Sequence, residues 1–152
     1  MPTSAGILLY RRPASGLEVF IAHMGGPFWA RKDDRAWSLP KGEVHDGEDL
    51  LVAAKREFTE EIGVPAPDAA YRSLGEVRYS SGKTVAVFAV EATAFEVDEV
   101  VSNTFDLEWP PRSGRLRAFP EVDAARWIGI DEARVKLVAG QVAALDALVA
   151  VL

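Results

Sequence analysis

The sequence predicts an α+β domain spanning residues 1–152. Three observations carry that expectation: paired β-branched apolar runs, one strongly periodic helix between the pairs, and an apolar stripe at helical spacing in the tail. Residues 4–11 and 17–24 form the first pair, parted by Pro13-Ala14-Ser15-Gly16, a turn composition. Residues 25–35 mix glycine, proline, aromatics and charge without a period, which reads as a surface loop of the kind that lines sites. From Asp46 the pattern changes, with Leu51, Ala54, Phe58 and Ile62 recurring three and four apart on one helical face. Asp46 is the expected N-cap, Glu48 and Asp49 suit the positive end of the helix dipole, and Gly63 followed by Pro65 supplies the stop. Residues 71–80 and 83–93 read as strands about Ser81-Gly82. Residues 95–120, rich in proline, charge and aromatics, are expected to hold a long functional loop, and 126–130 a short strand. The tail from Asp131, with Leu137, Val138, Val142, Leu145 and Val149, reads as an amphipathic helix bent near Gly140.

Composition narrows the function. A chain of 152 residues buries roughly 70% of its unfolded surface and needs no staples. No stretch approaches the ~18 apolar residues of a membrane span. Met1-Pro2-Thr3-Ser4 shows no basic segment leading into an apolar run, so a cytoplasmic location is expected. With no cysteine there is neither a disulfide nor a thiolate metal site, and His23 and His45 are too few for a zinc cluster. His45 reads as exposed and His23 as a strand residue, neither with assigned chemistry. A formal net charge of -6 argues against general affinity for nucleic acid polymers, which depends on many cations meeting phosphates. An anionic small substrate would need metal cations as intermediaries.

Inside the periodic helix, Glu57, Glu60 and Glu61 are offset by three and four residues and project from one side, about a third of a turn from the apolar stripe. Three neighbouring carboxylates repel one another, and a hard divalent cation such as magnesium or manganese relieves that repulsion. Magnesium shares its shell among one or two carboxylates, waters and substrate phosphates, so the arrangement points to a phosphate-bearing ligand. Taken alone, the same spacing also fits a solvated acidic face with an ordinary Arg56–Glu60 ion pair.

Gly42, five residues, Glu48, seven residues, and then Arg56-Glu57-Phe58-Thr59-Glu60-Glu61-Ile62-Gly63-Val64 resembles the Nudix box at each fixed position and spacing. The resemblance implies a Nudix αβα sandwich, a mixed β-sheet between helices, and magnesium-dependent hydrolysis of a phosphoanhydride bond in a small nucleotide. It further implies Glu57, Glu60, Glu61 and the Gly42 carbonyl as metal ligands, with Arg56 and Glu48 as supporting groups. Phe58 departs from the family's aliphatic preference, which bears on packing rather than on catalysis. The base that takes a proton from the attacking water varies in the family, and Glu57, Glu61 and Glu121 are candidates here. Glu121 stands in Pro120-Glu121-Val122-Asp123-Ala124-Ala125-Arg126-Trp127, a spacing similar to that of diadenosine tetraphosphate hydrolases. Trp37-Ser38-Leu39-Pro40-Lys41 resembles the same branch and offers Lys41 as a point charge on phosphate. Phe28, Trp29 and Tyr79 are candidates for stacking a base. Lys83, Arg112, Arg115 and Arg117 are candidates for outer phosphates. The first expectation is therefore a dinucleoside tetraphosphate substrate. A nucleoside triphosphate pyrophosphatase, an ADP-ribose or nucleotide-sugar hydrolase, and a non-catalytic nucleotide sensor are the alternatives.

Overall fold

The computed structural model describes residues 3–152. Met1 and Pro2, which belong to the N-terminal segment expected to carry no leader, lie outside the described residues.

Strands β1 (Thr3–Arg11) and β2 (Glu18–Met24) form the expected antiparallel pair, but they stay in register only at Tyr10–Val19 and Arg11–Glu18. Beyond that point they splay, and residues 37–43 wedge between them. Strand β3 (Trp37–Ser38) pairs with Ala22 and His23 of β2, and β4 (Lys41–Glu43) pairs with Ser4–Gly6 of β1. The Ile7 amide donates to the Pro40 carbonyl at 3.0 Å, so the wedge is hydrogen-bonded into the sheet. Gly6 is required at this close approach: a Cβ there would lie 2.6–2.9 Å from Leu39, Lys41 and the Pro40 carbonyl.

The far edge of β1 carries β6 (Thr84–Glu91) in parallel, and β5 (Arg72–Arg78) pairs antiparallel beyond it. The outer edge of β2 carries β9 (Val122–Gly129), longer than the short strand the sequence suggests. One parallel and several antiparallel pairings make the sheet mixed. Between β6 and β9 the expected long loop contains a separate two-stranded sheet, β7 (Thr104–Glu108) with β8 (Leu116–Pro120).

Alternation along the strands sends side chains to two cores, as a sheet covered on both faces requires. Ala5, Ile7, Leu9, Phe20, Ala22 and Val90 pack with Ala53, Ala54, Phe58 and Ile62 of helix α1 (Leu50–Ile62). Leu8, Val19, Ile21, Val85 and Val87 pack with Ala133 of α2 (Ile130–Lys136) and with Ala144, Leu145 and Leu148 of α3 (Val142–Val151). The tail is therefore two helices joined through a 3-10 turn at Ala139–Gln141 rather than one bent helix. Leu148 faces the core, whereas Val149 is exposed.

The cap of α1 also differs from expectation. Asp49, not Asp46, is the N-cap, and its side chain accepts from the Leu51 and Val52 amides, so Glu48 precedes the helix. Gly63 ends it in the left-handed conformation, φ 95°, with its amide donating to the Thr59 carbonyl. Phe58 is fully buried and lies edge-on to Phe95 at 5.7 Å, beside Phe20 at 6.4 Å. This aromatic cluster provides the room that an aliphatic residue would otherwise fill.

Candidate functional site

The wedge between β1 and β2 brings residues 41–43 alongside α1, and the carboxylates of the helix meet them there. At about 100° per residue, Glu57 and Glu61 fall in the arc between Ala53 and Ala54, not on an open face. Glu61 is accordingly only 9% exposed, and its Oε1 accepts from the Lys41 amide at 3.2 Å. Burial pushes its carboxyl up to about 7; the Lys41 charge and amide oppose this, while Glu121 and Glu57 add to it. Glu57 packs against Gly42 so closely that a Cβ on that glycine would sit 2.0 Å from Oε2. Its carboxyl is raised by burial first, with Arg56 opposing and Glu60 reinforcing.

Arg56 ties these parts together. Its Nε and Nη2 donate to both oxygens of Glu48 at 2.9 Å, a bidentate pair, and Nη2 also reaches the Glu43 carbonyl at 2.9 Å. Nη1 donates to Glu57 at 2.8 Å and to Glu60 at 3.1 Å. The guanidinium and then the His45 amide hold Glu48 down to about 2, so it is a fixed anion. Arg56 is raised in turn, chiefly by Glu48.

Glu121 reaches the same place from the β8–β9 junction. Its amide donates to the Asn103 carbonyl and its carbonyl accepts from the Gly25 amide, both at 2.9 Å. Asn103 and Val101 donate their own amides to the Glu60 and Ile62 carbonyls, so this segment also satisfies the C-terminal end of α1. The Glu121 side chain is exposed, yet crowding by the protein still raises its carboxyl; Lys41 opposes and Glu60 adds. Among the described residues it has no side-chain hydrogen-bond partner.

Two pockets share Lys41, Glu61 and Glu121. One is acidic and also lined by Gly42, Glu57, Glu60 and Asn103. The other is more apolar and adds Met24, Trp29, Ser38, Phe105 and Val122. Among the described residues no three His, Asp or Glu side chains converge as a ready-made metal cage. The set nonetheless fits a hard divalent ion that takes few protein oxygens and fills its shell with water and phosphate. Burial, and after it mutual repulsion, raises the carboxyls of Glu57, Glu61 and Glu121, and such an ion would offset both.

Several expected residues lie elsewhere. Tyr79 is structural: its hydroxyl accepts from Gln141 Nε2 at 2.8 Å and its ring covers Gly140. Gln141 is fully buried and also bonds Ser38 Oγ and the Leu39 amide, which props the wedge from beneath. Lys83 sits in the β5–β6 turn, and Arg112, Arg115 and Arg117 on the β7–β8 hairpin, all outside both linings. Phe28 is 58% exposed and meets Trp109 edge-on at 5.7 Å. Asn103 and Phe105 line the pockets without having been singled out. Thr104-Phe105-Asp106-Leu107-Glu108 alternates polar and apolar residues, a period-two signal that marks the strand.

A model of the NUDIX domain family matches residues 2–148. An RNA pyrophosphohydrolase of Caulobacter vibrioides is 31% identical over 128 residues, covering 80% of this chain and 73% of that one. An asymmetrical bis(5'-nucleosyl)-tetraphosphatase of Rattus norvegicus is 31% identical over 102 residues, covering 64% of this chain and 58% of the relative. Among solved structures, a C. elegans Ap4A hydrolase binary complex superposes with a TM-score of 0.63 at 21% identity, covering 97% and 96% of the two chains. The NUDIX domain of Shewanella oneidensis NrtR, complexed with ADP ribose, gives 0.67 at 15% identity over 97% and 86%. At these identities the structural likeness is one of fold.

The protein is a hydrolase of phosphorus-containing acid anhydrides. The chain belongs to the Nudix family, whose enzymes generally need divalent metal ions. Among the described residues no helix is long and apolar enough to cross a membrane.

Proposed function

We propose that this enzyme cleaves a phosphoanhydride bond of a nucleoside polyphosphate, with a dinucleoside tetraphosphate such as diadenosine tetraphosphate as first substrate and Mg2+ as the working ion. The observation that carries the reading is the pair of adjoining pockets, one acidic and one largely apolar, with Lys41, Glu61 and Glu121 at their junction. Phosphates suit the first and a base the second, with Trp29 and Phe105 as the aromatic walls.

Glu57, Glu60, Glu61 and the Gly42 carbonyl would hold the ion. When bound, it neutralises phosphate oxygens and acidifies a water. Arg56, clamped on Glu48, fixes the Glu57 and Glu60 carboxylates. Lys41 offers its charge to a phosphate oxygen. Glu121 takes the proton of the attacking water: it borders both pockets, no side chain engages it, and its raised carboxyl brings it nearer to neutrality. The hydroxide adds to phosphorus as the bridging oxygen leaves with the other phosphate. Glu57 is less suited because Arg56 already holds it.

A second reading, removal of pyrophosphate from a triphosphorylated RNA 5' end, is favoured by the wider coverage of the Caulobacter relative. The chain's net charge of -6 weighs against a long polyanion. A panel of diadenosine tetraphosphate, ATP, ADP-ribose and a 5'-triphosphate RNA oligonucleotide, run in oxygen-18 water with Mg2+ or Mn2+, tests both readings. Turnover led by the dinucleotide, with the label in one defined product, supports the first; turnover led by the RNA replaces it.

A further inference from the structure

His23 of β2 has a buried ring whose two nitrogens face groups that accept. Nδ1 lies 2.7 Å from Asp123 Oδ1, and Nε2 lies 2.7 Å from the Lys32 carbonyl oxygen. A carbonyl can only accept, so the contact with Lys32 needs the imidazole proton on Nε2, and Nδ1 then faces the Asp123 carboxyl.

Neither partner lines the two pockets itself, but each adjoins a segment that does. Asp123 is in β9, two residues beyond Glu121. Lys32 is in the 25–35 loop, where its amide donates to the Trp29 carbonyl and the Trp29 amide to that of Gly26, so successive turns link Lys32 to the aromatic wall. Trp37, edge-on to His23 at 5.1 Å, makes a parallel tie through its indole N–H to Asp33 at 2.9 Å. Arg126 lies over the Trp37 ring at 4.8 Å, so Asp123 faces His23 directly while Asp33 and Arg126 meet it through Trp37. Glu121, by contrast, is also held from outside this loop, by its amide's bond to the Asn103 carbonyl.

We propose that His23 is a positioning residue, which by bonding Asp123 and the Lys32 carbonyl together pins the 25–35 loop and sets Trp29 against the nucleotide cleft. This rests on reading that cleft as the substrate site. Because the Asn103 bond still anchors Glu121 from outside the loop, loss of His23 loosens binding far more than it slows the chemical step.

The test combines kinetics on diadenosine tetraphosphate and ATP with amide hydrogen exchange and 15N spectra of the imidazole. His23→Ala is expected to raise KM about tenfold with kcat little changed, the worth of one net hydrogen bond. In a Trp29→Ala background the same change adds almost nothing to KM, because the route through Trp29 is already gone. Amides of residues 25–35 exchange faster in His23→Ala, His23→Gln falls between it and wild type because its amide still donates to Lys32, and wild-type Nε2 carries a proton at pH 7. An unchanged KM, a full tenfold effect repeated in the Trp29→Ala background, or a bare Nε2 overturns the proposal. If His23→Ala does not fold, His23→Gln and the wild-type spectrum decide it. If the wild type cleaves neither nucleotide, the substrate reading fails, and the exchange and 15N results still decide for or against the clamp.

Discussion

At the scale of single residues, the site depends on carboxylates placed where burial opposes their charge. Glu61 shows this most clearly, because the arc that the sequence suggests for the acidic face is partly closed by the wedge. Its folded carboxyl, at about 7, stands above the ordinary value of 4.5, so the folded state binds its proton more tightly than the unfolded chain does. Metal-free protein is therefore expected to lose this contribution as pH rises from near 4.5 through about 7. Thermal melts across that window check it: Glu61→Gln flattens the decline, and a divalent ion restores stability at the upper end by binding the ionised form. Glu48 behaves oppositely, since its depressed carboxyl contributes above 4.5 and that contribution is lost as pH falls through about 2. Gly42→Ala gives a different signature. The Glu57 carboxylate is the flexible end of its side chain and can swing away from a new Cβ, so the fold stays intact while turnover falls.

At the scale of elements, α1 was legible because capping, period and stop agree in one short stretch, although the cap is displaced by three residues. Asp46 and Asp49 are both acceptable N-caps by residue type; the bidentate Arg56–Glu48 pair, a contact across eight residues, keeps Glu48 ahead of the helix and leaves the cap to Asp49. The role of Arg56 was visible only through the resemblance, but its partners follow from the folded geometry. The β7–β8 hairpin was missed because its five-residue strands sit among prolines and charges that suggested a loop. The structural contact of Tyr79 is not legible in the sequence, because its partner Gln141 is 62 residues away and nothing local marks it. Two stability predictions belong to α1. Phe58→Ala is expected to cost about 3–5 kcal/mol by opening a cavity beside Phe20 and Phe95, and Phe58→Leu less than about 1.5. Gly63→Ala is expected to cost at least about 1–2 kcal/mol, because φ is 95° and a Cβ would meet the Val101 carbonyl at 2.7 Å. Urea titrations measure both.

At the scale of the whole molecule, the fold explains why one site can draw on distant segments. Splaying β1 from β2 makes room for residues 37–43. The parallel β6 with β5 beyond it, and the antiparallel β9, extend the sheet on either side, and helices on both faces bury the two cores. The 101–103 segment then ties the end of α1 to Glu121, so the acid-bearing helix and the candidate base belong to one hydrogen-bonded unit. Arg56→Ala, which removes the link between helix and loop, is expected to lower turnover about 10–100-fold, with a weaker apparent affinity for the metal. Steady-state assays over a range of Mg2+ concentrations measure both quantities.

The central claim is that carboxylates of α1 gather a divalent ion against a phosphoanhydride. It is tested most directly by diadenosine tetraphosphate turnover as a function of Mg2+ for wild type and Glu61→Gln, with melting temperatures recorded for both. The predicted result is no turnover without metal, saturable turnover with it, and a loss of roughly 100-fold or more in a folded Glu61→Gln variant. Metal-independent cleavage, or undiminished turnover in that variant, would contradict it.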